Sequence, residues 1–173
     1  KLMGKKDVSV LDGGFPKWLK EGHPQDNQPV TLRDKHFTAS FTGVLVKNVT
    51  QVSAASKLGD HTIIDARDAD RFKGKAAEPR AGLRAGHIPG STNLHYKELL
   101  NDDGTMKNKD SLKSLFKKAR INQEKPIITT CGSGVTAAII SLALEIVGYK
   151  NHSVYDGSWT EWGQFDQLPV EVG

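Results

Sequence analysis

Apolar positions along the chain fall into short blocks whose spacing switches between the strand and helix periods. His61-Thr62-Ile63-Ile64-Asp65 and Pro126-Ile127-Ile128-Thr129-Thr130 are apolar runs too brief for helices, and each predicts a buried strand that closes on polar residues. Asp110 to Arg120 carries Leu112, Leu115 and Phe116 at helical spacing with basic residues in its last turn, which predicts a helix. Val49 to Leu58 reads as a short helix, Gly134 to Val147 as a strongly apolar one, and Ser153-Val154-Tyr155 as a last strand. His36 to Thr42 reads as an early strand. Alternation of this kind implies an α/β fold with a mostly parallel sheet, in which ligands sit beyond the carboxyl ends of the strands.

The chain also repeats itself. Val10-Leu11-Asp12-Gly13-Gly14-Phe15-Pro16-Lys17-Trp18 parallels Val154-Tyr155-Asp156-Gly157-Ser158-Trp159-Thr160-Glu161-Trp162, and each copy reads as strand, Asp-Gly turn and Trp-bearing helix start. Two tandem copies of one domain account for this, with residues 1–24 the tail of the first. Residues 25–34 begin polar, lack periodicity and follow Pro24, as a linker would. The complete domain is then expected over residues 35–173.

Composition narrows the chemistry. A hydrophobic fraction of 37% allows a real core, and no apolar run approaches the roughly 18 residues that span a bilayer. The formal charge of +4 comes from basic residues interspersed with acidic ones, without the clustered face and aromatic platforms of a nucleic-acid binder. It suits a small anionic substrate. A single cysteine forms no internal disulfide and builds no thiolate zinc site, and points to a reducing compartment, cytoplasmic or mitochondrial.

That cysteine is placed for chemistry. The strand ending at Thr130 runs into Cys131-Gly132-Ser133-Gly134-Val135-Thr136, and a helix follows. Two glycines let the loop turn tightly with its N–H groups inward as an anion nest, and the helix directs the positive end of its dipole to the same point. Such a setting favours the thiolate, the nucleophilic form. A buried structural cysteine is the plain alternative; the strand–loop–helix junction argues against it.

The loop Cys131-Gly132-Ser133-Gly134-Val135-Thr136 resembles that of the 3-mercaptopyruvate sulfurtransferase branch of the rhodanese superfamily. Ile64-Asp65-Ala66-Arg67, His87-Ile88-Pro89-Gly90-Ser91 and Asp156-Gly157-Ser158-Trp159 resemble rhodanese signatures too, so the likeness covers the whole chain. It implies a three-layer rhodanese-like fold, with the mostly parallel sheet flanked by helices. It further implies a cysteine persulfide on Cys131, made from 3-mercaptopyruvate with release of pyruvate and passed to a thioredoxin-like thiol or to cyanide. Catalytic roles fall to Cys131 and Ser133, and substrate binding to Arg71, Arg80, Gly132, Gly134, Val135 and Thr136. Asp65 and Arg67 are expected to order the loop from behind, and His87 to be structural. A preceding rhodanese domain of the same protein is expected as a partner that walls the site and contributes His and Asp, so the chain alone should transfer sulfur poorly. No metal, organic cofactor, nucleic acid or membrane is implied.

Two other readings remain. Thiosulfate-using relatives carry a loop resembling Cys-Arg-Lys-Gly-Val-Thr, whose basic side chains suit a dianion, whereas Gly132 and Ser133 stand here. Non-catalytic rhodanese-like modules usually lack the cysteine. Cysteine phosphatases are disfavoured, because Ala137 occupies the place of their phosphate-holding Arg.

Overall fold

A computed structural model describes all residues from Lys1 to Gly173. The helices are α1 (Gly14–Lys20), α2 (Val49–Leu58), α3 (Ala69–Phe72), α4 (Lys109–Lys118), α5 (Ala137–Val147) and α6 (Ser158–Trp162). The strands are β1 (Val46–Lys47), β2 (Thr62–Asp65), β3 (Thr92–Asn93), β4 (Ile127–Thr130) and β5 (His152–Tyr155). They form one sheet in the order β1-β5-β4-β2-β3, with every pair parallel.

Side-chain alternation along β2 and β4 divides the core in two. In the β2–β4 register Ile63 lies beside Ile128, and both enter a cluster with Val52, Tyr155, Trp159 and Trp162. Ile64 and Ile127 point to the other face, against Leu112 and Phe116 of α4 and Ile140 and Leu144 of α5. Strands buried on both faces read as continuous apolar runs, which is why the Ile-Ile pairs mark the centre of the sheet. Local signals set the helix ends. Asn48 and Gln51 close a reciprocal capping box at the start of α2, and Gly59, at φ 63°, ends it in the left-handed region that glycine tolerates.

The strand order decides where a ligand can bind. After β2 the chain passes to β3 on one side, whereas β4 lies on the other side of β2 and leads outward to β5. The connections leaving β2 and β4 therefore diverge, opening a crevice beyond their carboxyl ends.

Three expectations need correction. The early strand at His36 to Thr42 is irregular; β1 lies at Val46–Lys47 instead, where β5 offers a parallel edge. Ser40 and Thr42 donate to the carbonyls of Met3 and Leu2, so this backbone is occupied away from the sheet. The first member of the internal repeat contains its helix, α1, but no strand at Val10-Leu11, since no sheet edge stands beside it. The apolar helix predicted from Gly134 begins at Ala137, because Gly134 has φ 81° and no right-handed helix passes through that conformation. No helix is long and apolar enough to cross a membrane.

Candidate active site

Cys131 follows the last residue of β4 and is 2% exposed. The loop from Cys131 to Thr136 is held from behind by the start of α6. Trp159 N–H donates to the Cys131 carbonyl at 2.9 Å, and Thr160 N–H to the Gly132 carbonyl at 2.8 Å. The Thr160 hydroxyl donates to the same Gly132 oxygen at 2.5 Å, and Cys131 N–H donates to Ser158 Oγ at 3.2 Å. Gly134 makes the closure possible: a Cβ there would lie 2.8 Å from the Asp156 carbonyl oxygen. The backbone N–H groups from Gly132 to Ala137, in contrast, donate to no other group of the chain. Acceptors satisfied from behind and a run of free donors give the loop the polarity of an anion nest, beside the positive end of the α5 dipole.

A cavity of about 240 Å³ opens over this loop. Cys131, Gly132, Ser133, Val135 and Thr136 form its floor and rim, Arg71, Glu78 and Arg80 from the connection after β2 face them, and Thr160 of α6 closes one side. The divergence of the β2 and β4 connections thus brings together both arginines and the cysteine expected from the sequence. Gly134 does not line the cavity; it is turned against Asp156 and serves the site through its backbone.

The two arginines differ in their partners. Arg71 pairs with Glu78, Nη2 to Oε2 at 2.5 Å and Nε to Oε1 at 3.3 Å. Burial pushes the Arg71 guanidinium down, and the Glu78 carboxylate more than reverses this, holding it above its ordinary value. Arg71 also sits against the loop, since a Cβ on Gly132 would lie 3.2 Å from its Nη2. Arg80 donates to the Thr160 hydroxyl and has no carboxylate partner, so its charge stays available to a ligand.

Asp65 and Arg67 are buried behind this wall, at 1% and 2% exposure. Arg67 Nη2 meets Asp65 Oδ2 at 2.6 Å and the Gly86 carbonyl at 2.8 Å, while Nη1 reaches Glu78 Oε1 at 2.8 Å. The guanidinium lies 4.4 Å over the Trp159 ring. A chain of charges therefore runs Asp65, Arg67, Glu78, Arg71, from the end of β2 to the cavity. Asp65 and Arg67 make no bond to the Cys131 loop itself, and reach it only through Glu78 and Trp159.

Glu78, Ser158 and Thr160 are the site residues that sequence reasoning missed. A carboxylate between two candidate arginines was a signal for Glu78; Ser158 and Thr160 were legible only as parts of a turn. His87 lies outside the cavity, stacked on Phe72 with centroids 3.7 Å apart and its Nδ1 2.7 Å from the Phe72 carbonyl. Trp159 and Trp162 belong to the core.

A parallel α/β sheet with a cysteine at a strand end, curled in a loop of free N–H donors, defines an α/β domain that sets a thiol in an anion nest. The model of the rhodanese-like domain matches residues 48–165, and the chain belongs to that family. It is 42% identical to the 3-mercaptopyruvate sulfurtransferase of Escherichia coli (strain K12) over 99% of this chain and 60% of that protein. It is 38% identical to the thiosulfate sulfurtransferase of Bos taurus, over 99% of this chain and 58% of that protein. Among solved structures, SseA from Escherichia coli, described as a 3-mercaptopyruvate sulfotransferase, superposes with TM-score 0.79 at 39% identity, covering 91% of this chain and 58% of that one. The Tum1 protein from Saccharomyces cerevisiae gives TM-score 0.84 at 30% identity, over 98% and 62% of the respective chains. The chain thus spans less than two thirds of the length of each of these proteins.

Proposed function

We propose that this chain is the cysteine-bearing part of a sulfurtransferase that takes sulfur from 3-mercaptopyruvate onto Cys131. The observation that carries this is the cavity in which Cys131 lies among the free N–H donors from Gly132 to Ala137 and faces Arg71 and Arg80. The arginines hold the carboxylate and carbonyl of the donor, and the Cys131 thiolate attacks its sulfur. The new S–S bond forms as the C–S bond breaks, and the electron pair leaves on carbon as the enolate of pyruvate. The proton that was on the donor's thiol ends on that carbon, giving pyruvate and an anionic persulfide on Cys131. The free N–H groups stabilise that charge as an oxyanion hole would. An acceptor thiol, such as a thioredoxin-like protein, or cyanide then attacks the outer sulfur and restores the cysteine. Ser133, exposed at the rim and free of internal hydrogen bonds, relays the proton.

A thiosulfate donor is the second reading, favoured by relatives with that name at 38% identity. Gly132 and Ser133 support mercaptopyruvate, because they add no cation for a dianion to meet. Val135, an apolar residue 72% exposed at the cavity rim, supports a covering partner, and a preceding rhodanese domain of the same protein is the partner we assign. Intact-mass measurement tests the function: exposure to mercaptopyruvate should add one sulfur atom to the chain, cyanide should remove it, and Cys131→Ser should never acquire it. A chain that stays unmodified by either donor would refute the proposal.

A further inference from the structure

We infer that Glu78 determines which anions the cavity accepts, by cancelling one of its two guanidinium charges; this rests on the anion-receiving role proposed for the site. The Glu78 side chain is 2% exposed, bonded on one side to Arg67 Nη1 at 2.8 Å and on the other to Arg71 Nη2 at 2.5 Å. Asp65 already neutralises Arg67 at 2.6 Å, outside the cavity. Within the cavity, two guanidinium charges stand against this one carboxylate. One net positive charge remains before the sulfur's own state is counted, and it is centred on Arg80. That balance matches a singly charged carboxylate ligand. A doubly charged ligand would leave one negative charge unmatched in a partly desolvated space.

The Coulomb energy of a ligand with a fixed protein charge is proportional to the ligand's charge. Removing the Glu78 charge must therefore strengthen a dianion by the square of the factor by which it strengthens a monoanion. A residue that merely braces the wall would change both ligands by one factor, and in the weakening direction. Glu78 thus acts as a positioning and specificity residue, since its only bonds are to arginines.

Protection of Cys131 from iodoacetamide by pyruvate (a monoanion) and by sulfate (a dianion) measures this on the whole chain without requiring turnover. In Glu78→Gln, which keeps the shape of the side chain, pyruvate should protect at about 5-fold lower concentration and sulfate at about 25-fold lower. Glu78→Asp keeps the charge, and its sulfate-to-pyruvate ratio should stay within about twofold of the parent. Equal gains for the two anions, a loss for both, or an Asp variant that behaves like Gln would overturn the inference. Should Glu78→Gln not fold, Glu78→Leu removes the same charge: sulfate must gain the square of what pyruvate gains, and equal factors for the two anions overturn the inference. If neither anion protects the parent at all, the anion-receiving site itself fails, an outcome distinct from a changed ratio.

Discussion

Cys131 N–H donates to the hydroxyl oxygen of Ser158 at 3.2 Å, and the same hydroxyl donates to the Tyr155 carbonyl at 2.7 Å. One buried side chain thus ties the end of β4 to the end of β5 at the point where the reactive loop begins. Ser158 holds φ 50°, a conformation that costs an ordinary residue energy. Ser158→Ala should keep that cost and orphan the amide, destabilising the fold by about 1–3 kcal/mol and slowing sulfur loading of Cys131. Ser158→Gly should be less harmful by about 1 kcal/mol, because it relieves the backbone. Urea denaturation of both variants checks the order; Ala and Gly variants of equal stability would contradict it.

Arg67 predicts a larger effect. Its guanidinium is shared between Asp65 and Glu78, and its side chain is fully buried. Arg67→Ala would leave buried Asp65 without its cation and Glu78 with Arg71 alone, and a loss of about 3–5 kcal/mol is expected. A shift of the urea midpoint at unchanged slope reads this directly.

On the proposed function, in which they hold the donor before the transition state forms, Arg71→Gly and Arg80→Gly should each raise KM for mercaptopyruvate more than they lower kcat. Steady-state kinetics separates the two parameters. Unchanged constants in both variants would make these arginines ordinary wall residues.

Donor choice should respond to charge in the loop. A side chain at Gly132 meets only the flexible end of Arg71, at 3.2 Å, so Gly132→Arg with Ser133→Lys is sterically reachable. The double variant should move the ratio of kcat/KM values towards thiosulfate by more than tenfold, about 1.4 kcal/mol. A ratio that stays put would remove Gly132 and Ser133 as the basis of donor selectivity.

Gly134→Ala tests the loop's geometry. It would place Cβ 2.8 Å from the Asp156 carbonyl at φ 81°, so the loop must open. We expect sulfur loading to fall by at least tenfold while far-UV circular dichroism, dominated by distant elements, stays near the parent's.

What the sequence determined by itself is local. Period and length identified α2 at its observed ends, β2, β4 and β5 within one residue and α4 within two, because capping residues and isolated Ile-Ile pairs act over a few positions. The same locality put Cys131 at a strand end and in a loop of small residues. Tertiary structure decided whatever depends on a partner. The segment His36 to Thr42 has strand-like spacing but no sheet edge to join, whereas Val46–Lys47, with a weaker pattern, pairs with β5. Glu78 is one surface-type residue among many until the β2 connection folds back and sets it between Arg67 and Arg71. Ser158 and Thr160 acquire their roles only because β5 lies beside β4, which carries the start of α6 behind the cysteine loop. Charge pairing and hydrogen bonding between segments far apart in the chain leave no period in the sequence, so only the folded molecule reveals them.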